Sequence, residues 1–426
     1  MKNILYIESN RDGTIGGSYY CLLEIVKHLD RTKYNPIVMF HASNSLIDEF
    51  RKFSTVLLFK CKQGMVMKRD YPALYALAAR TRLSGLALAF FQKTFNLLRY
   101  VIPSWFEIAW IMRKYRIDLV HLNDQPLLTV WLVAARLFGA RCVSHLRGNV
   151  VASPFQKRMM RRYDRVLSIS HSVTGFMEKE NVDTGNFVTL HDGIDIPAVM
   201  NARKGTGDIL RQEFSGPRNA VLIGLIGNIK AWKGQHVAVE AMRILKRSGL
   251  NVKCLVIGAV SHLEDDRNYY EYLQKTVVDN DLRDQVVFTG YRSDVPDLLS
   301  IVDLLIHTSV EPEPMGRVVL EGMLFSKPVI ATAHGGPLEI IENGISGFLV
   351  PPADPRALAE KMTFLLTNPE VRRKIGAEAR KRVERLFTIE TNVKVIESIY
   401  DSLLASPGQS LVTAEKQSLA PASGNK

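Results

Sequence analysis

Two glutamates eight residues apart, Glu313 and Glu321, lie in the stretch Ser309-Val310-Glu311-Pro312-Glu313-Pro314-Met315-Gly316-Arg317-Val318-Val319-Leu320-Glu321. This stretch follows a predicted strand, Pro314 suits a helix start, and the helix should run through Phe325. A strand-to-helix turn at the carboxyl edge of a sheet is where α/β folds bind ligands. The unpaired N–H groups near Gly316, Arg317 and Val318 would form an anion site at that helix N-terminus. Eight helical residues rise roughly 12 Å. The two carboxylates are then too far apart to act on one bond, but suited to gripping two sugars of an elongated ligand. Taken alone, two glutamates at this spacing are more often a solvated helix face.

A second constellation is Gly224-Leu225-Ile226-Gly227-Asn228-Ile229-Lys230-Ala231-Trp232-Lys233-Gly234, which starts on a predicted strand and leads into a helix. Its glycines permit close backbone approach, and Lys233 offers a point charge to a phosphate. Glycines also end strands for steric reasons alone. The third, His334-Gly335-Gly336-Pro337-Leu338-Glu339, follows the predicted strand Pro328–Ala331 and reads in the same two ways. Asp279-Asn280-Asp281 has the look of a metal-binding DxD, but it precedes Leu282-Arg283 and the strand Val286–Phe288, so it reads as a helix-end loop.

The elements that must position these residues alternate. Strands are predicted at Ile4–Ile7, Ile37–Phe40, Val56–Phe59, Leu119–Leu122, Cys142–His145 and Val166–Ile169, with helices through Leu29, near Ser45–Phe53 and over Leu127–Phe138. A polar stretch, Asn201–Gly216, reads as a linker. Strands resume at Val221–Ile226, Cys254–Ile257, Val286–Phe288, Leu304–His307 and Pro328–Ala331, and the pattern is parallel α/β twice over. A helix should close the fold near Leu404, with a disordered tail over 405–426, rich in Ser, Ala, Pro and Gly.

The 426 residues suit two domains of roughly 200 residues each. With 46% apolar and 23% charged residues, the chain is a folded protein. Its net charge of +12 is unevenly placed: residues 1–197 hold 27 basic and 16 acidic side chains, the remainder 28 and 27. The basic half points to an anionic partner. Residues 60–116 interrupt the first α/β run with eleven basic and two acidic residues among seven large aromatics from Phe90 to Trp110. They read either as a plain helical subdomain or as a segment lying on an anionic membrane surface; no nucleic-acid motif accompanies the charge. The apolar run at the N-terminus stops at Glu8, too short for a signal peptide. Four scattered cysteines (21, 61, 142 and 254) argue against a disulfide framework or zinc site, and the expectation is a cytoplasmic protein, peripheral at most on the inner face of the plasma membrane.

From Ser309 to Asp354 the chain resembles the retaining GT-B glycosyltransferases of glycosyltransferase family 4. Their signature of Glu, seven residues and Glu appears as Glu313 and Glu321. It is followed by Lys327-Pro328-Val329-Ile330, Gly335-Gly336 and Gly347-Phe348-Leu349-Val350-Pro351. More loosely, the resemblance spans about 1–404 and takes in Gly16-Gly17, His191-Asp192-Gly193-Ile194-Asp195, Gly227 with Lys233-Gly234, and Phe288-Thr289-Gly290. It implies a GT-B fold: an acceptor-side Rossmann-like domain over 1–200 with the insertion at about 60–116, a nucleotide-sugar-binding domain over 217–387, and a helix over 388–404 crossing back.

The resemblance also implies roles. Glu321 would hold the donor ribose, Glu313 the transferred sugar, and Lys233 with the Gly316 backbone the diphosphate. Gly16 and Gly17 would approach the phosphates, as would Gly227, Arg317 and Val318. Arg292 would flank the base, and His145 would meet the donor sugar. Asn228 departs from the family, where an Arg often follows Gly227; either Lys230 or Arg317 would compensate, or the donor would be held more loosely. The donor is then a nucleotide-sugar and the acceptor a glycan or lipid-linked glycan, with no metal and no further cofactor. The competing readings are a nucleotide-sugar 2-epimerase and a non-catalytic scaffold on the same fold.

Overall fold

The computed structural model describes residues 1–8, 10, 15–60, 82–123, 129–216 and 219–405. Two parallel sheets organise them. The first holds β1 (Lys2–Glu8), β2 (Tyr34–Phe40), β3 (Thr55–Leu58), β4 (Leu119–Asn123), β5 (Arg141–Leu146), β6 (Arg165–Ser168) and β7 (Phe187–Thr189), in the order β3-β2-β1-β4-β5-β6-β7. The second holds β8 (Val221–Ile226), β9 (Val252–Ile257), β10 (Val286–Gly290), β11 (Leu304–His307), β12 (Val329–Thr332) and β13 (Phe348–Val350), in the order β10-β9-β8-β11-β12-β13.

The physical reason is visible in β1. Leu5 and Ile7 enter one buried cluster, Ile4 and Tyr6 the other, so alternate side chains feed helical layers on both faces of the sheet. A strand buried on both faces reads as an unbroken apolar run, which is why these strands are legible in the sequence. Strand order reverses between β1 and β4 and again between β8 and β11, leaving a crevice outside the carboxyl ends at each switch.

Three expectations need correction. The stretch read as a linker, Asn201–Gly216, carries the helix Gly207–Ser215, whose Leu210 and Phe214 bury against Leu222, Leu255 and Leu298. An i, i+4 apolar pair is enough to dock a helix even in a polar sequence. The strands β7 and β13 were not anticipated, because each is only three residues long and sits at a sheet edge. Helix 127–138 is seen as Thr129–Leu137; its predicted start lies outside the described residues.

The insertion forms the helix Arg82–Asn96, a π-helical turn Leu97–Val101 and the helix Ile102–Lys114. Ile108, Ile111 and Met112 pack into the first half's core, whereas Phe90, Phe91, Leu98, Phe106 and Trp110 are all exposed by more than half. Residues 61–81 of the insertion, and 406–426 of the expected tail, lie outside the described residues. Among the described residues no helix is long and apolar enough to cross a membrane, and Cys21, Cys142 and Cys254 are buried free thiols.

The last helix, Ile389–Leu404, leaves the second half and returns to the first. Its Tyr400 is fully buried, with its hydroxyl 3.1 Å from that of Tyr6 and 2.5 Å from His121 Nδ1. Chain crossings therefore occur twice, near 193–207 and at 387–389, where Ile194 and Thr388 form a β-bridge.

Candidate active site

Glu313 is the centre of the site in the second half. It leaves β11 by a short loop that Gly335-Gly336 clamps: the Gly336 N–H donates to the Glu313 carbonyl (2.7 Å), and Gly335 forms a bridge with Glu313. A Cβ on Gly335 would lie 2.2 Å from the Glu313 carbonyl oxygen, and one on Gly336 2.3 Å from that of Met315. The glycine pair thus earns its place by sterics, as a backbone cradle for Glu313.

The Glu313 carboxylate is 8% exposed. Its Oε2 accepts from Lys233 Nζ at 2.5 Å, from Ser309 Oγ at 3.0 Å and lies 3.2 Å from His307 Nε2. Every described bond lands on Oε2, so Oε1 keeps its lone pairs for another group. Burial alone would raise this carboxyl; His307 and Lys233 outweigh it and hold the group down at about 2. Lys233 comes from a 3-10 turn, Ala231–Lys233, that ends at Gly234. Its ammonium also lies 4.1 Å from the Trp232 ring centroid.

Sequence reasoning missed His307 and Ser309 as partners of Glu313. His307 ends β11 and Ser309 lies two residues beyond it, and that i, i+2 spacing with Glu313 just after it was the available signal.

The helix Arg317–Leu324 begins directly after Gly316, which takes φ +91° and offers no side-chain cap, and the Val319 N–H bonds the Gly316 carbonyl at 2.9 Å. Glu321 lies on that helix within 3.7 Å of Arg317, and burial pushes its carboxyl up against Arg317's opposite pull. Arg317 also reaches the first half: its Nη1 donates to Cys21 Sγ at 3.0 Å. Cys21 stands one turn into the helix Gly17–His28, which also starts uncapped, after Gly16. A Cβ at Gly16 or Gly17 would meet nothing within 4 Å. The first residue of one helix, Arg317, and the first turn of the other, at Cys21, thus meet across the two halves through a side chain.

Behind them runs a buried polar chain. The Cys21 thiol donates to Asp192 (3.3 Å), Arg147 donates to Asp192 (2.5 Å) and to Asn123 (2.7 Å), and Asn123 donates to Glu8 (2.6 Å). Asp192 is the counter-ion of Arg147, and that pairing uses a carboxylate at this position.

The other expected residues are placed as follows. His145 ends β5 fully buried, with Nδ1 3.3 Å from Arg147 and Nε2 without a partner. Burial and the Arg147 charge keep it neutral, and in this conformation it offers no accessible ring atom to a ligand. Arg292 is engaged in a fork to Asp294 rather than turned to a neighbouring loop. Gly227 takes φ +153° at the end of β8, and Asn228 beside it is exposed. Lys230 lies 3.9 Å from Asp266. Asp279–Asp281 does end a helix, and Asp281 pairs with Lys246 at 2.6 Å.

Comparison with known proteins bears on this geometry. Residues 15–197 match the family described as Glycosyltransferase Family 4, and residues 208–382 match Glycosyl transferases group 1. The chain is 23% identical over 313 residues to a putative glycosyltransferase, YtcC, of Bacillus subtilis, covering 70% of this chain and 75% of that one. It is 32% identical over 183 residues to the capsular polysaccharide biosynthesis glycosyltransferase CapM of Staphylococcus aureus, covering 43% and 46%. Among solved structures, Anabaena HepE in complex with UDP and glucose superposes with a TM-score of 0.73 at 24% identity, over 94% of this chain and all of that one. The two sheets, the crossing helix and the matches to both halves together make this chain a GT-B glycosyltransferase of the group 1 and family 4 type.

Proposed function

We propose that the protein is a retaining glycosyltransferase that moves a sugar from a nucleoside diphosphate donor to a glycan or lipid-linked acceptor in polysaccharide biosynthesis. The observation that carries the reading is the Lys233–Glu313 pair just before the helix that starts uncapped after Gly316, a helix whose Arg317 reaches Cys21 on the helix that starts uncapped after Gly16. Two positive helix ends and an ammonium suit a diphosphate that gains charge as it leaves. Structures of this shape include one that holds UDP and glucose, and a relative named for capsular polysaccharide biosynthesis is 32% identical over 183 residues.

In this reading Lys233 exchanges Glu313 for the donor phosphate. Glu313 keeps Ser309 and His307 on Oε2 and turns Oε1 to a hydroxyl of the transferred sugar. Glu321, raised by burial, accepts a ribose hydroxyl. The glycosidic bond to diphosphate breaks while the acceptor hydroxyl attacks from the same face, and its proton leaves with the diphosphate oxygen. No metal enters the scheme, because lysine and amides carry the charge.

The exposed aromatic and basic face of residues 90–114 belongs to the same reading: it would seat the first half on an anionic bilayer where a lipid-linked acceptor resides. A thermal-shift screen of nucleotide-sugars in EDTA tests the donor class. A true donor at 100 times its Kd raises stability by about 2.7 kcal/mol. Absence of any shift from every nucleotide-sugar, or a shift that appears only with added Mg²⁺ or Mn²⁺, would overturn the reading.

A further inference from the structure

The amino edge of the second sheet, remote from the carboxyl-edge site, holds a cavity of about 510 Å³ that no step above uses. Its walls come from the first chain crossing (Met200, Arg203), the helix Gly207–Ser215 (Arg211), the turn before β11 (Ser300 to Asp303), the turn before β12 (Lys327) and the long helix Pro369–Leu386 (Arg380). Four cations line it against two carboxylates, Asp208 and Asp303. Asp303 is already engaged, accepting from Arg211 Nη1 at 2.7 Å and from the Leu222 N–H at 2.8 Å.

Arg211 is bonded to Asp303 and to the Ile301 carbonyl, and Arg380 to Glu384 at 2.7 Å, which leaves Arg203 and Lys327 without a carboxylate partner among the described residues. Lys327 has one bond, to the Ser300 carbonyl at 2.8 Å. Burial first, and then the charges of Arg211, Arg203 and Arg372 against the pull of Asp303, push its ammonium down to about 8. Arg372, from the same long helix as Arg380, keeps Nη1 buried without a hydrogen-bond partner among the described residues. Like charges held together in a half-buried cavity cost free energy, and a multivalent anion relieves that cost.

We infer that this cavity is a second ligand site that takes a small phosphate-bearing anion, with Arg203 and Lys327 gripping the phosphate. A cavity of this size exceeds what one phosphate fills and falls within the range of small-molecule sites. Met200, Ile301 and Phe325 on its wall supply apolar surface for the organic part. A sugar phosphate is therefore favoured over inorganic phosphate. The walls join the interdomain crossing to the second half, so the occupied site fastens that crossing. The inference does not depend on the donor reading, since its residues are none of those at the carboxyl edge.

The test is calorimetric titration of the full chain, with UDP present in excess to fill the donor site, using glucose 6-phosphate and inorganic phosphate as probes at low salt. Saturable binding of glucose 6-phosphate is expected, tighter than that of inorganic phosphate. It should weaken about tenfold or more in Arg203→Gln/Lys327→Gln, a loss of about 1.4 kcal/mol. The single variant Arg203→Gln, on an exposed side chain, should show a smaller loss and folds independently of any effect at Lys327. No saturable binding of either probe by the wild type, or binding that both variants leave unchanged, overturns the site. Equal affinity for the two probes overturns the preference for a sugar phosphate.

Discussion

Among the described residues, Glu313 is held by three groups on one oxygen and by none on the other. That asymmetry separates its two jobs, anchoring and sugar contact, and makes its substitution informative. Glu313→Gln should lower kcat about 10²-fold or more while changing donor affinity little, because the proposed contact matters most as charge develops in the transition state. Full turnover in the variant would remove Glu313 from the chemistry. The same group should appear in acid stability. Its carboxyl is depressed from an ordinary 4.5 to about 2, so its stabilising effect is complete above 4.5 and is lost as pH falls toward 2. Urea melts across that window should show the wild type losing stability that Glu313→Gln never had. Lys233→Ala and Glu321→Ala should instead weaken donor nucleotide binding in calorimetry and leave the fold intact; unchanged affinity in both would sink their assignment.

The helices of the insertion have two faces with different work. Ile108, Ile111 and Met112 attach them to the first half, while Phe90 is 73% exposed and Phe106 74%. Such rings, with Lys93, Arg99 and Lys114 nearby in sequence, would gain roughly 1 kcal/mol per basic residue at an anionic surface, besides the burial of the aromatics. The protein should pellet with vesicles rich in phosphatidylglycerol, and high salt should release it. Phe90→Ser/Phe106→Ser should halve the pelleted fraction or more, with donor affinity unchanged. A wild type that ignores anionic vesicles at low salt would leave this face as ordinary surface, and the acceptor would then be a soluble glycan.

At the scale of the whole molecule, the halves are tied by bonds that cross between them. Ser170 Oγ donates to the Pro314 carbonyl at 2.6 Å, next to Glu313. Glu339, from the loop that cradles Glu313, accepts from the His171 and Ser172 N–H groups at 2.9 and 3.0 Å and lies 2.7 Å from His191 Nε2. It caps the first-half helix His171–Lys179, and burial, which would raise its carboxyl, is outweighed by His191 and these two amides. Glu339→Ala removes two charge-assisted bonds, a cost of about 2 kcal/mol or more to the arrangement in which the halves touch. Small-angle scattering should then show a larger radius of gyration without loss of secondary structure. An unchanged radius would show that the helix Ile389–Leu404 and the remaining contacts suffice to hold the halves together.

Local pattern determined much of this protein. Strands buried on both faces are apolar without interruption, glycine and proline punctuate the turns, and the spacing of Glu313, Gly316 and Glu321 is a property of one loop and one helix. Those features depend on neighbours within a few residues, so they are written in order along the chain. The tertiary structure decided what depends on distant segments. Lys233 and Glu313 meet across 80 residues, and Arg317 finds Cys21 across 296. The burial of His145 follows from the wall around β5 and not from its own stretch of sequence. Three-residue edge strands and a helix docked by two apolar side chains carry too little periodicity to be seen alone. The cationic cavity at the amino edge is the extreme case. Its arginines and lysine lie on separate elements from 203 to 380, and only the packing of sheet, crossing and long helix turns scattered charges into one site.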